Sequence, residues 1–176
     1  VIDGTLGGAG HAKDLIARIE PNGTYIGIDL DPAAIAHAQE QFAAQQFTSN
    51  ISLVHDNFKH IIKIANDNGC SQANSILFDL GFSSYHVDQS QRGFAFSKDE
   101  PLDMRFNPHS AHSERTLTAE QIVNTFPEQE LARIIWEYGE ERFSRKISAE
   151  IVKQRREKKI RTTAELREIV SKAIPV

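Results

Sequence analysis

At 176 residues, with 40% hydrophobic and 25% charged side chains, the chain has the makeup of a globular protein of one domain or two small lobes sharing a core. No apolar run reaches the roughly 18 residues a membrane helix needs, and no signal-peptide pattern opens the chain. The single cysteine, Cys70, excludes an internal disulfide, and a cytoplasmic protein without membrane contact is expected.

The first half alternates strands and helices. Val1-Ile2-Asp3 ends a strand and leads into a glycine-rich turn, Gly4 to Gly10, after which Ala12, Leu15, Ile16 and Ile19 recur at helical spacing. Pro21-Asn22-Gly23 breaks that helix, and Tyr25 to Asp29 reads as a second strand. Asp31-Pro32 opens a helix to about Phe42, with an acceptor at the cap and proline at the first helical position. Ile51 to Val54 is a third strand, Phe58 to Asn68 a third helix, and Ser75 to Asp79 a fourth strand, apolar on both faces as in a parallel sheet. This order predicts an α/β fold with a parallel, doubly wound sheet and right-handed crossovers.

After Asp79 the pattern changes. Residues 80–116 form a polar, glycine-containing stretch too long for an idle connection. From Leu117 onward only helices are expected. Thr118 with Gln121 caps the first, with Leu117 stapled to Ile122. Leu131, Ile134, Ile135 and Tyr138 form a second stripe, closed by Gly139; Phe143, Ile147 and Ile151 form a third; Thr162 with Glu165 opens a fourth carrying Leu166, Ile169 and Val170.

Charge is distributed as unevenly as structure. Residues 1–60 carry seven acids and three Lys/Arg, whereas 142–161 carry nine Lys/Arg against Glu150 and Glu157. That density, in a chain of net charge −4, favours phosphate contact over a merely solvated helix face, with Arg155, Arg156, Lys158 and Lys159 as the RNA-binding candidates. His109 and His112 offer no complete ligand set, and no metal site is expected.

Four features fall at the carboxyl ends of the strands, where ligands bind in open α/β sheets. The turn Asp3-Gly4-Thr5-Leu6-Gly7-Gly8-Ala9-Gly10-His11 does not fit G-x-G-x-x-G in any register, which argues against a dinucleotide. An acid before the glycines suits a ligand with a cationic end, such as the ammonium of S-adenosylmethionine. Asp29, 26 residues after Asp3, can accept from both ribose hydroxyls. Asp56-Asn57-Phe58 supplies an aromatic for an adenine face, and Asp79 stands at the lip of the fourth strand. Together they predict S-adenosylmethionine as the cofactor.

Five runs then become specific: Asp3 to His11, Asp79-Leu80-Gly81-Phe82-Ser83-Ser84, Arg92-Gly93-Phe94-Ala95-Phe96, Pro101-Leu102-Asp103-Met104-Arg105, and Tyr138-Gly139-Glu140-Glu141-Arg142. Their series resembles the ribosomal RNA cytosine-N4 methyltransferases of the RsmH (MraW) type over nearly the whole chain. The resemblance implies a class I (Rossmann-like) S-adenosylmethionine-dependent methyltransferase sheet, here truncated, interrupted by an inserted all-helical domain. The corresponding division is 1–105 for the cofactor-binding part and 106–176 for the helical, RNA-binding part. It further implies that Ala9, Gly10 and His11 line the methionyl end, Asp29 holds the ribose, Phe58 flanks the adenine and Asp79 lies beside the cofactor. A further contact falls on His86, where the family usually has glutamine. The implied substrate is the N4 amine of a cytidine in small-subunit ribosomal RNA or the 30S particle. The alternatives are another amine substrate, or a cofactor-binding ribosome-assembly factor without turnover.

An acceptor for the N–H hydrogens would make the conjugated N4 amine nucleophilic and collect its proton. Asp79 and Asp103 are the catalytic candidates, with Ser83 and Ser84 as polar loop contacts; Asp79 can equally bind cofactor, and Asp103 can equally pin its loop through Arg105. Phe82, Phe94 and Phe96 either stack on an extruded base or anchor the loop. The chain opens inside a strand without an initiator methionine and stops at Pro175-Val176 after a helical pattern, so it reads as part of a longer protein. Residues 75–78 would then be an unpaired edge, and this span alone is expected to self-associate and lack turnover.

Overall fold

A computed structural model describes residues 1–82, 84–88, 90–107 and 117–174. Ser83, His109 and His112 lie outside them, so their expected roles have no structural counterpart here. The chain forms two compact units, Val1–Ser83 and Ser84–Val176. Among the described residues no helix is long and apolar enough to cross a membrane.

The first unit is an α/β layer built in the expected order: β1 (Ile2–Asp3), α1 (Gly10–Ile19), β2 (Thr24–Asp29), α2 (Pro32–Ala43), β3 (Asn50–His55), a 3₁₀ turn (Phe58–His60), α3 (Ile61–Asp67) and β4 (Ile76–Leu77). All pairings are parallel, in the order β3-β2-β1-β4. The chain steps outward from β1 to β3 and then returns to the other side of β1, leaving a topological switch point between β1 and β4. Ligands of such sheets bind in the crevice outside the strand ends at that point.

Strand periodicity divides the core. Tyr25 points to one face and packs with Leu6 beneath Ala12, Ile16, Ile35, Ala38 and Phe42 of α1 and α2. Ile26 and Ile28 point to the other face and join Ile2 and Ile64, under α3. Gly27 lies on the Tyr25 face; a Cβ there would stand about 3.0–3.1 Å from Tyr25, Leu53 and Leu6, so glycine sets how closely that layer packs.

Two elements differ from the sequence expectation. The third helix starts as a 3₁₀ turn because the Asn57 side chain accepts from Lys59 N at 2.9 Å, holding the entry tight before α3 begins. The fourth strand shrinks to two ladder positions, Ile2↔Ile76 and Asp3↔Leu77, because β1 itself turns away at Gly4. β4 is therefore an edge of the described sheet, and Ile76 and Phe78 are about half exposed rather than buried on both faces.

Asp3 is not the ligand-facing acid that the sequence suggests. Only 1% exposed, it accepts from the Tyr25 hydroxyl at 2.9 Å and from Thr5 N at 3.0 Å. Burial pushes its carboxyl above the usual range, partly offset by those two donors. Tyr25→Phe in the full-length protein should remove one donor from a buried acid and cost about 1–3 kcal/mol of stability. Denaturant unfolding monitored by circular dichroism checks this, and an unchanged midpoint would show that the phenol is dispensable.

The second unit is helical: α4 (Ser84–Asp88), α5 (Ala119–Thr125), α6 (Glu128–Glu137), α7 (Ser144–Glu157) and α8 (Thr163–Ala173). Both expected capping boxes form, Thr118 with Gln121 and Thr162 with Glu165. Val123, Leu131, Ile147, Ile151, Ile160 and Ile169 close the core, and Leu102 inserts among them. Residues 84–105 thus fall in the helical unit, whereas the division implied by the family resemblance put residues up to 105 with the sheet. The strap is tied by Leu102 N donating to Arg161 O and Thr163 N donating to Glu100 O, at 3.0 and 2.9 Å. Gly93, at φ 85°, passes so close to Pro101 O that a Cβ would stand 2.5 Å from it, which explains the glycine in Arg92-Gly93-Phe94. After α6 the left-handed residue is Glu140 (φ 51°), not Gly139; Gly139 is required because a Cβ would stand 2.7 Å from Ile135 O.

Candidate functional site

The glycine-rich turn leaves β1 and delivers the chain to the N-terminus of α1. Gly7 and Ala9 take left-handed conformations, φ 51° and 60°. For Ala9 this costs about 1–2 kcal/mol, and its methyl is fully buried in the α1–α2 core, which holds it there. Strain of this kind gathers at ligand turns. A Cβ at Gly8 or Gly10 would meet nothing within 4 Å among the described residues, so bare backbone faces open space. Ala9 offers no side-chain cap among those residues, which leaves the first amides of α1 available to an acceptor.

Asp29 ends β2 and is held by two amides: Oδ2 accepts from Gly7 N at 2.7 Å and Oδ1 from Asp31 N at 2.8 Å. A carboxylate has about four acceptor positions, so these two bonds orient the group and leave others for a diol. Asp31 turns away, nearly fully buried, and caps α2 by accepting from Ala33 N at 2.9 Å.

Beyond β3, Phe58 is 42% exposed and meets Phe78 edge to face, with ring centroids 5.3 Å apart. Phe78 in turn lies on Gly4, where a Cβ would stand 2.3 Å from its ring. Asp79 follows. Its backbone N donates to Thr5 Oγ1 at 2.7 Å, fixing the end of β4 to the turn after β1, and its carboxylate lies 3.7 Å from His11 Nδ1. Both side chains are about two-thirds exposed. The structure therefore brings Ala9, Gly10, His11, Asp29, Phe58 and Asp79 to the strand ends of one unit.

The remaining candidates belong to the helical unit. His86 is buried in α4, with Phe94 and Phe106 at centroid distances of 5.3 and 4.9 Å. Phe94 is thus an anchor for the strap, while Phe96 is exposed. Asp103 forms a two-point pair with Arg105, Oδ1 to Nε and Oδ2 to a terminal nitrogen, both 2.7 Å. The Arg105 guanidinium holds its carboxyl below the usual range. Arg92 closes the same strap by donating to Arg105 O and Phe106 O, at 3.0 and 2.6 Å.

Of the four basic candidates, three have partners within the fold. Arg155 donates to Val123 O and Phe126 O, both at 2.8 Å, satisfying carbonyls at the end of α5. Lys158 pairs with Glu165 at 2.5 Å and Lys159 with Glu120 at 2.7 Å. Arg156 is exposed on α7.

The MraW methylase family profile matches residues 1–176, the entire chain. The chain belongs to this family. Curated relatives include proteins named "Ribosomal RNA small subunit methyltransferase H". Those of Desulforapulum autotrophicum and Clostridium botulinum (strain Kyoto) are 46% and 44% identical over 174 residues, and that of Brevibacillus brevis is 42% identical over the same length. In each case 99% of this chain is aligned, against 53–54% of the relative, so the chain spans about half the length of the curated relatives it matches. The parallel four-stranded sheet with its helices is consistent with a Rossmann-like methyltransferase fold. Sequence reasoning missed the Asp3–Tyr25 pair and the tie of Glu100 to Thr163, since partners 22 and 63 residues apart leave no local pattern.

Proposed function

We propose that this chain is the cofactor-binding and helical part of an S-adenosylmethionine-dependent methyltransferase acting on small-subunit ribosomal RNA, at the N4 amine of a cytidine. The observation that carries the cofactor assignment is the convergence at the β1–β4 switch point of an open glycine turn, an oriented Asp29 and an exposed Phe58. The residues present fit the group. Gly8, Gly10 and the uncapped α1 amides would receive the methionyl carboxylate. Asp29 would hold the ribose hydroxyls, and Phe58 would cover the adenine. The sulfonium of the bound cofactor supplies an activated methyl group.

The chain's own task is to place the amine in line and accept its N–H hydrogens. Asp79 suits that role better than Asp103. Its backbone is fixed and its carboxylate is exposed at the strand lip, whereas both Asp103 oxygens are held by Arg105. The names of the relatives support the RNA substrate, and the loop motifs from Asp79 to Arg105 support the N4-cytidine specificity through the family resemblance.

The test is transfer of radiolabelled methyl from S-adenosylmethionine by the full-length protein to small-subunit RNA and to 30S particles, followed by digestion to nucleosides. Label in N4-methylcytidine is the expected result. Label in another nucleoside would overturn the base assignment, and no transfer to either substrate would overturn the RNA assignment.

A further inference from the structure

We infer that the cleft between α6 and α7 is a nucleotide-binding subsite for single-stranded RNA, with Trp136 as its stacking platform and Arg142 and Arg145 as its phosphate contacts. The inference rests on the RNA-methyltransferase reading and adds a location that the basic run alone does not give.

The cleft measures about 780 Å³, enough for a nucleotide. Trp136, the only tryptophan of the chain, lines it and is 58% exposed. Leu131 and Ile135 of α6 face the core, and the indole is the aromatic that this helix leaves outside. Arg142 and Arg145 line the opposite side, from the turn into α7 and its first residues. Among the described residues neither is paired with a carboxylate. Arg142 lies over the Phe143 ring at 4.7 Å, a contact that orients the guanidinium plane and leaves its edge donors available.

Charge within the cleft favours an anion. The lining itself carries Arg133, Arg142 and Arg145 against one carboxylate, Glu128; Arg133 is already held by Glu130 and Glu137, at 2.9 and 2.5 Å, so Arg142 and Arg145 are the guanidinium groups left to meet an anion. An exposed indole beside unpaired guanidiniums is the combination that takes a base face and its phosphates together. Arg155, Lys158 and Lys159, by contrast, already serve the helical fold.

The test uses the full-length protein and two probes: an eight-nucleotide single-stranded RNA, and the same backbone with abasic sites. Trp136→Ala should weaken binding of the first by about 5- to 150-fold, the range of one lost base stack, and leave the abasic probe unaffected. Trp136→Phe should retain most of the affinity, which separates stacking from a folding defect. Tryptophan fluorescence should be quenched by the RNA in wild type, and the quenching contributed by this chain should be absent in Trp136→Phe. Arg142→Ala with Arg145→Ala should lower the log–log salt slope by about 1.4, at roughly 0.7 per contact. Unchanged RNA affinity in a folded Trp136→Ala variant, with methylation of RNA by wild type intact, would overturn the subsite alone. A wild-type protein that binds S-adenosylmethionine but no RNA would overturn the subsite together with the reading beneath it.

Discussion

Asp29→Ala in the full-length protein should weaken S-adenosylmethionine binding by about 2–4 kcal/mol, or roughly 30- to 900-fold, the worth of two hydrogen bonds to a carboxylate less partial replacement by water. The same carboxylate holds Gly7 N and Asp31 N, so alanine also loosens the glycine turn. Ligand analogues separate the two effects. Calorimetry with S-adenosylhomocysteine and with its 2′,3′-dideoxy analogue completes a double-mutant cycle. Expected is a large loss for the first ligand and a small one for the second. Equal losses would mean that Asp29 acts only by shaping the turn.

Asp29 also shows how far the sequence could be read. An acid at the end of a six-residue strand, after a glycine turn, is a local pattern, and local patterns survive into the structure: the Thr118 and Thr162 capping boxes, the Asp31-Pro32 helix start, the β2 and β3 spans. Side-chain commitments at long range do not. The acid of Asp3-Gly4 looks like a ligand contact until Tyr25, 22 residues away, is seen to claim it inside the core. Arg155 looks like one cation in a basic run, yet one of its terminal nitrogens is committed to carbonyls 29 and 32 residues back. Sequence counts charges, and only packing shows which of them still face solvent.

The strap from Arg92 to Arg105 illustrates the same limit. Its residues carry much of the family resemblance and so invite catalytic roles, but many are bound up in the strap itself. Gly93 permits the close pass to Pro101, Leu102 fills the helical core, Arg92 satisfies two carbonyls and Arg105 clamps Asp103. A motif can be specific for a family because a loop of that shape needs those residues. Trp136 is the converse case. It falls outside the apolar stripe that periodicity picks out on α6, and its exposure becomes visible only once Leu131 and Ile135 are seen to fill the core.

Asp79→Asn should lower kcat for methyl transfer by about 10²- to 10⁴-fold, the range for removing a positioned proton acceptor. Asparagine keeps the size of the side chain and one acceptor oxygen, so the Thr5 tie to the backbone and the rim of the cofactor crevice should persist. The affinity for S-adenosylmethionine should accordingly move by less than about tenfold. Single-turnover transfer at saturating cofactor, beside calorimetric binding, reads the two quantities apart. Asp103→Asn is the matched comparison. Its carboxylate is held below the usual range by Arg105, which makes it a poor proton acceptor near neutral pH, and its loss should act through the strap. That variant should lower stability, with a smaller fall in kcat than Asp79→Asn. If Asp79→Asn instead lost cofactor affinity at unchanged kcat, Asp79 would be a binding residue. A loss of kcat confined to Asp103→Asn would move the proton acceptor to the helical unit.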